Sequence, residues 1–285
     1  LNIMSYRKFY SFSEVKKKCI EGRFFSYSDW FDGIFVPPSI YLIWMSVNLR
    51  ISANAISWIS ATFAILGAIL ISTQNTTYIF IGSLFYLFYY LFDYVDGGVA
   101  RFNQTQGVSG QYMDWIMHVI SSTAIISGLA IGAINGSGNW LVPFSILAII
   151  ASVLTYARHS MAWFSIIMEN QQKRSKGIAN DISFKMINKR KNIIVYDFIR
   201  KCVCKFYHEE TLIFLLPLLS LLHLYVTHAY LDFRVLLIIG AGAFYFPIML
   251  IEVHRLATNN KIQEAYNKLF ISSAKPILPD DHFLK

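Results

Sequence analysis

Six stretches of this chain are apolar for about 20 residues or more, the helix length that crosses a bilayer. They cover residues 55–73, 78–96, 108–134, 140–167, 211–230 and 235–254. The second is expected to continue as helix to Arg101, and the fourth turns polar in its last turns. Before the first span, residues 1–33 mix aromatics (Phe9, Tyr10, Phe12, Phe24, Phe25, Trp30) with Arg7, Lys8, Lys16, Lys17, Lys18 and Arg23. That mixture suits a segment lying on a membrane surface. Pro37-Pro38 is expected to break any helix. The short apolar run 39–49 then reads as an interfacial helix leading into the first span. Between the fourth and fifth spans, apolar positions from Ile182 to Ile199 interleave with basic ones, which predicts a surface amphipathic helix within 171–208.

The pattern therefore predicts an all-α, polytopic membrane protein with six transmembrane helices and an N-terminal interfacial amphipathic segment. Its expected organisation is an interfacial segment at 1–50, a six-helix transmembrane domain at 51–258 containing the basic loop 171–208, and a tail at 259–285. Composition agrees. Of 285 residues, 55% are hydrophobic and 15% charged, against roughly 25% charged in soluble domains. Mean hydropathy is +0.45.

The net charge of +8 is concentrated in the N-terminal segment and between Lys173 and Lys205. With spans between them, these are anchors to anionic lipid headgroups and not a nucleic-acid patch. The loops 74–77, 135–139 and 227–233 contain no Lys or Arg. The positive-inside rule then puts both termini, and the turn after the second span, on the cytoplasmic side. Cys19, Cys202 and Cys204 make no disulfide framework. The first 33 residues lack a continuous apolar core, so no signal peptide is expected.

Carboxylates beside long apolar runs are expensive unless something uses them. Two such stretches flank the turn between the second and third spans: Asp93-Tyr-Val-Asp96-Gly97-Gly98-Val-Ala100-Arg101 and Gly110-Gln-Tyr-Met-Asp114-Trp-Ile-Met-His118. On a helix, Asp93 and Asp96 share a face and Gly97 sits beside them. Asp114, His118 and Gly110 share a face of the next helix. Two antiparallel helices can thus aim three carboxylates and an imidazole into one cleft. Hard oxygen donors suit Mg²⁺, Mn²⁺ or Ca²⁺. A pair of such ions clamps a phosphate between the attacking and leaving oxygens.

The motif Asp93-x2-Asp96-Gly97-x2-Ala100-Arg101-x8-Gly110-x3-Asp114 resembles the signature of the CDP-alcohol phosphotransferases. The six spans are similar to that family's membrane core. A weaker match, Ala53-Asn54-Ala55-Ile56-Ser57, precedes the first span, with Ala in the family's proline position. There Asn54 is either a nucleotide contact or a helix cap. The resemblance implies a CDP-alcohol donor, a second alcohol as acceptor, CMP as leaving group and two Mg²⁺ or Mn²⁺ ions per site. It implies that Asp93, Asp96, Asp114 and the residue at position 118 hold metal, and that position 118 and Asp114 serve catalysis. Asn54, Asp96, Gly97, Ala100, Arg101 and Gly110 would line the nucleotide. It also implies a homodimer among membrane lipids.

One position departs from the signature. The family's fourth aspartate is His118 here. Three readings stand: a histidine that replaces the aspartate as working base, a change that weakens the second metal site, or a catalytically silent relative. Near the end of the fourth span, Arg158 and Tyr156 are candidates for an acceptor-phosphate pocket, with Arg200 and Lys205 from the basic segment. Each is equally an interfacial anchor. Glu209 and Glu210 open the fifth span, where acids either contact an acceptor or basic group or simply complement the helix dipole. Glu252 and Arg255 read as an ordinary interfacial pair. A transporter would place its charges near mid-membrane and not at span ends.

Overall fold

The computed structural model describes residues 9–20, 30–105, 107–175, 194–225, 232–258 and 262. Every regular element among them is helical: α1 Phe12–Ile20, α2 Trp30–Leu49, α3 Ala53–Ile71, α4 Thr76–Asn103, α5 Val108–Ser137, α6 Val142–Ser175, α7 Ile194–Phe206, α8 Glu209–Tyr225, α9 Phe233–Gly240 and α10 Phe246–Thr258. A π-helical turn, Ala241–Tyr245, joins α9 and α10 into one rod. Among the described residues, five helices are long and apolar enough to cross a membrane: Ala53–Ile71, Thr76–Asn103, Ser109–Ser137, Asn139–Ala162 and Phe233–Thr258. The chain is thus an all-α, multi-pass membrane protein. The other expected span, 211–230, is described as far as Tyr225, where α8 has run 17 residues. Its remaining residues lie outside the described ones, as does most of the basic stretch between α6 and α7.

The expected break at Pro37-Pro38 is not there: α2 runs through both prolines. Each proline removes one N–H from the ladder, but packing holds the helix on both sides. Phe35 is buried against Tyr90, Tyr94 and Phe214, and Ile40 and Ile43 are buried beyond the prolines. Gly33 and Ile34, whose carbonyls lose their partners, are exposed and can be solvated. Ahead of α2, α1 docks by Val15, which joins Ile43, Val47, Ile56, Val95, Val99 and Phe102 in one core. Lys16, Lys17 and Lys18 remain exposed, the last over the Phe102 ring at 4.6 Å.

The residues form two compact units, Leu1–Val142 with Glu209–Ile238, and Pro143–His208 with Ile239–Lys285. In the first, α3 packs against both α4 and α5 through small residues that let backbones touch. A methyl group on Gly82 would stand 2.6 Å from the Gly67 carbonyl oxygen. α4 ends in a Schellman turn: Thr105 N–H bonds Ala100 O at 3.0 Å, Gln104 N–H bonds Arg101 O at 3.3 Å, and Gln104 adopts φ 55°. This turn sends the chain back along α5 directly after the acidic motif. At the far end of the same helices, Arg234 is fully buried. Its Nη1 donates to Ile71 O at 2.7 Å and Thr73 O at 2.6 Å. Nη2 reaches Asp232 at 2.6 Å and Gln74 at 3.1 Å, and Nε also meets Asp232. Gln74 in turn donates to Gly132 O at 2.8 Å.

In the second unit the Glu252–Arg255 pair exists at 3.1 Å. It is more than an interfacial pair, because Glu252 is buried and also takes Arg200 at 3.5 Å and Tyr196 at 3.5 Å. A helical surface carboxylate has been drawn into a packed cluster with two cations.

Candidate metal centre

The Schellman turn places the last three turns of α4 beside the first three of α5. Asp93, Asp114 and His118 come together there, each offering a ligand atom within 4.8 Å of the others. His118 Nε2 stands 3.7 Å from Asp93 Oδ1 and 3.7 Å from Asp114 Oδ1. Asp114 and His118 are one turn apart on α5, as their spacing predicts. Asp96 is not in this group of three. It is buried, and its Oδ2 accepts from Ser57 Oγ on α3 at 2.6 Å.

The other ring nitrogen of His118 is engaged. Glu209, at the start of α8, brings Oε2 to 3.0 Å from Nδ1, and the Tyr89 hydroxyl lies 2.9 Å from the same atom. An ionised carboxylate only accepts hydrogen bonds, so Nδ1 carries its proton toward Glu209 while Nε2 faces Asp93 and Asp114. With Nε2 unprotonated, its lone pair and the two carboxylates can share one cation, and an Nε2–H of the imidazolium would satisfy the same two carboxylates. The donor set therefore fits a divalent ion, with a carboxylate behind the histidine as in many metal sites.

Glu209 joins this group from outside the motif. Of the two readings open for it, a dipole-compensating acid and an acid on a basic group, the structure brings it to an imidazole 91 residues away, with its side chain 5% exposed.

The motif's small residues have distinct surroundings. A methyl group at Gly97 would meet Arg101 Nη1 at 3.2 Å, so the guanidinium lies over this glycine. Gly98 is the position that α2 closes on, with Ile43 where a side chain would be. Gly110 faces open space, and Ala100 is half-buried. Asn54 is exposed on the first turn of α3. It is not the cap: Ser52 is, accepting from Ala55 N–H at 3.2 Å.

The acceptor-pocket candidates Tyr156, Arg158, Arg200 and Lys205 belong to the second unit. Arg158 and Arg200 both act on Cys204, whose thiol burial pushes up while the two cations pull it back. The Arg158 Nε is buried and finds no hydrogen-bond partner among the described residues. Arg200 is shared with Glu252, and Lys205 is exposed.

Together these features define a helical membrane protein with a partly buried acidic cluster, suited to a metal, at the ends of two spans. The CDP-alcohol phosphatidyltransferase family pattern matches residues 50–196, slightly more than half of the chain and the whole of that centre except Glu209. The chain belongs to this family. No characterised protein matches it in a search of curated sequences.

Proposed function

We propose that the chain is a CDP-alcohol phosphotransferase, moving a phospho-alcohol group from a CDP-alcohol to the hydroxyl of a second alcohol and releasing CMP. The observation that carries this reading is the convergence of Asp93, Asp114 and His118 Nε2 inside the family's motif. The acceptor oxygen attacks the phosphorus that bears the donor's alcohol. The bond from that phosphorus to the oxygen bridging it to CMP breaks, a phosphodiester forms, and the hydroxyl proton goes to a base.

The residues divide the work as follows. Asp93, Asp96 and Asp114 would hold two divalent ions, Mg²⁺ or Mn²⁺. Such ions neutralise a diphosphate and the charge developing on a leaving phosphate oxygen. With Nδ1 committed to Glu209, His118 has one lone pair for the cleft and cannot ligate metal and accept a proton at once. We assign it the ligand role. The proton then passes to Asp114, whose side chain is 45% exposed and is the more accessible carboxylate of the pair. Gly97, Ala100, Arg101, Gly110 and Asn54 line the nucleotide, with Arg101 supporting its phosphate. Arg158, Arg200, Tyr156 and Lys205 form an anion-binding group for a phosphorylated acceptor. The reading includes six spans, a cytoplasmic site and termini, a lipid or related phosphodiester product, and a homodimer.

Purified protein given a panel of CDP-alcohols and acceptors with Mg²⁺ or Mn²⁺ should release CMP with at least one pair, and release none after chelation. CMP release from no pair would sink the reading. A silent relative is the second reading, favoured by His118 at the fourth acidic position. It predicts no turnover by the natural chain and turnover gained on His118→Asp. The hydrogen bond that His118 makes to Glu209 weighs against it, because it supplies the histidine with a role that a decayed site has no reason to keep.

A further inference from the structure

We propose that Glu209 and His118 form one unit, in which the buried carboxylate fixes the imidazole as a nitrogen ligand and biases the centre toward Mn²⁺ over Mg²⁺. The inference rests on the metal-dependent reading above and deepens it, since nothing in the family's motif includes a residue of α8. Glu209 is a positioning residue here: it touches His118 and not the reacting atoms.

The geometry makes the argument. Glu209 Oε2 sits 3.0 Å from Nδ1, and its side chain is 5% exposed, so water competes little for that bond. The Tyr89 ring stands edge-on to the imidazole, 6.4 Å between centroids, and its hydroxyl reaches Nδ1 at 2.9 Å. Two partners on one nitrogen hold the ring against rotation. Nε2 is left equidistant from Asp93 and Asp114 at 3.7 Å each. A ligating histidine held this way by a carboxylate is more basic and better aimed, and losing such a partner costs about 10–100-fold in metal affinity. The donor set that results is two carboxylates and one nitrogen. Mg²⁺ keeps oxygen and water ligands in strict geometry, whereas Mn²⁺, although also suited to carboxylates, opens the first-row transition series in which nitrogen donors gain affinity, so one imidazole disfavours it less than Mg²⁺. Where the family's signature has a carboxylate at position 118, this chain offers a softer atom.

The test uses the full chain in detergent, without substrate. Mn²⁺ binding is read by the loss of the free-ion paramagnetic signal, and Mg²⁺ by competition. The unaltered protein should prefer Mn²⁺ over Mg²⁺ by at least about tenfold more than His118→Asp does. Glu209→Gln should weaken Mn²⁺ binding about 10–100-fold. In the His118→Asp background the same change should cost nothing, because no imidazole remains to be held and a buried like-charge contact is relieved. Glu209→Asp, which keeps the charge but shortens its reach, serves if the glutamine variant fails to fold, and should lose affinity in the same background-dependent way.

Equal losses in both backgrounds would make Glu209 a fold residue and overturn the proposal. So would unchanged Mn²⁺ affinity in Glu209→Gln, an unaltered Mn²⁺ preference in His118→Asp, or no Mn²⁺ binding by the natural chain. The binding pattern found without CMP release would sink the transferase reading alone. CMP release with Glu209-independent binding would sink this one alone.

Discussion

The helices α3, α4 and α5 bury charge at both ends, and the two clusters are built on opposite rules. At one end the Arg234 guanidinium meets Asp232, Gln74 and two backbone carbonyls. At the other, Asp93, Asp114 and Glu209 converge on a single histidine, with Asp96 nearby. Thr76, just after Gln74, and Asp93 are separated by about 26 Å of helix at ~1.5 Å per residue, close to the thickness of a bilayer's hydrocarbon. Arg234 is fully buried, and its guanidinium is met by a carboxylate, an amide oxygen and two backbone carbonyls. The acidic cluster is partly open, Asp114 being 45% exposed, and gathers its carboxylates around one imidazole. A saturated buried cation is architecture, while carboxylates crowded on one imidazole are the arrangement a divalent ion would relieve.

The strongest test breaks that asymmetry at the acidic end. Asp93→Asn and Asp114→Asn should each reduce CMP release by about 10³-fold or more, equivalent to roughly 4 kcal/mol of barrier. Neither should unfold the protein. Removing like charge from a cluster with too much of it should leave the metal-free melting temperature unchanged or raised, a common stability–function trade. Saturating Mn²⁺ should raise the melting temperature of the natural chain, because a ligand bound only to the folded state stabilises it. That increment should vanish in Asp93→Asn. A loss of melting temperature in both asparagine variants would place these acids with the architecture.

The reverse test is Arg234→Met. It strands Asp232 and the last carbonyls of α3, and should cost about 3–5 kcal/mol of stability, the usual penalty for removing one partner of a buried pair. Turnover per folded molecule and the Mn²⁺-induced increment in melting temperature should both persist. Thermal melts alongside titrated active-site counts would read this. Loss of metal affinity in the folded fraction would show that the two ends are energetically linked.

The two clusters were not equally legible in the sequence. Asp93, Asp96, Gly97, Asp114 and His118 stand at helical spacing on consecutive helices, so local periodicity alone brings them to one face. The Arg234 cluster joins residues 160 positions apart, as Arg234 to Gln74 does, and no local pattern announces it. Arg234 also adjoins a loop that the charge count treats as free of cations. For Glu209 contact with a basic group stood open, but which group did not, because its partner lies 91 residues away on another helix. The prolines of α2 misled in the other direction. A local breaking rule lost to tertiary packing of Phe35 and Ile43, which periodicity does not weigh.

Asp96 sits between the two classes, because part of its charge is met by Ser57. Ser57→Ala should therefore cost little: about 1–2 kcal/mol of stability, typical of a hydrogen bond to a charged group. CMP release should fall by no more than about tenfold. Restoration by Ser57→Thr would tie the effect to the hydroxyl. A loss as deep as that of Asp93→Asn would mean that Ser57 is part of the reacting centre.

The smallest expected effects separate a fold residue from a site residue within three positions of one helix. Ser52 caps α3, so Ser52→Ala should lower stability by about 1 kcal/mol and leave the donor KM unchanged. Asn54 is exposed and makes no cap, so Asn54→Ala should leave the melting temperature within error. If Asn54 lines the nucleotide as proposed, the same change should raise the donor KM several-fold with little effect on kcat. The pair thus splits the two properties cleanly at the helix start. A KM change in Ser52→Ala, or none in Asn54→Ala, would move the nucleotide away from this turn and leave its recognition to Gly97, Arg101 and Gly110.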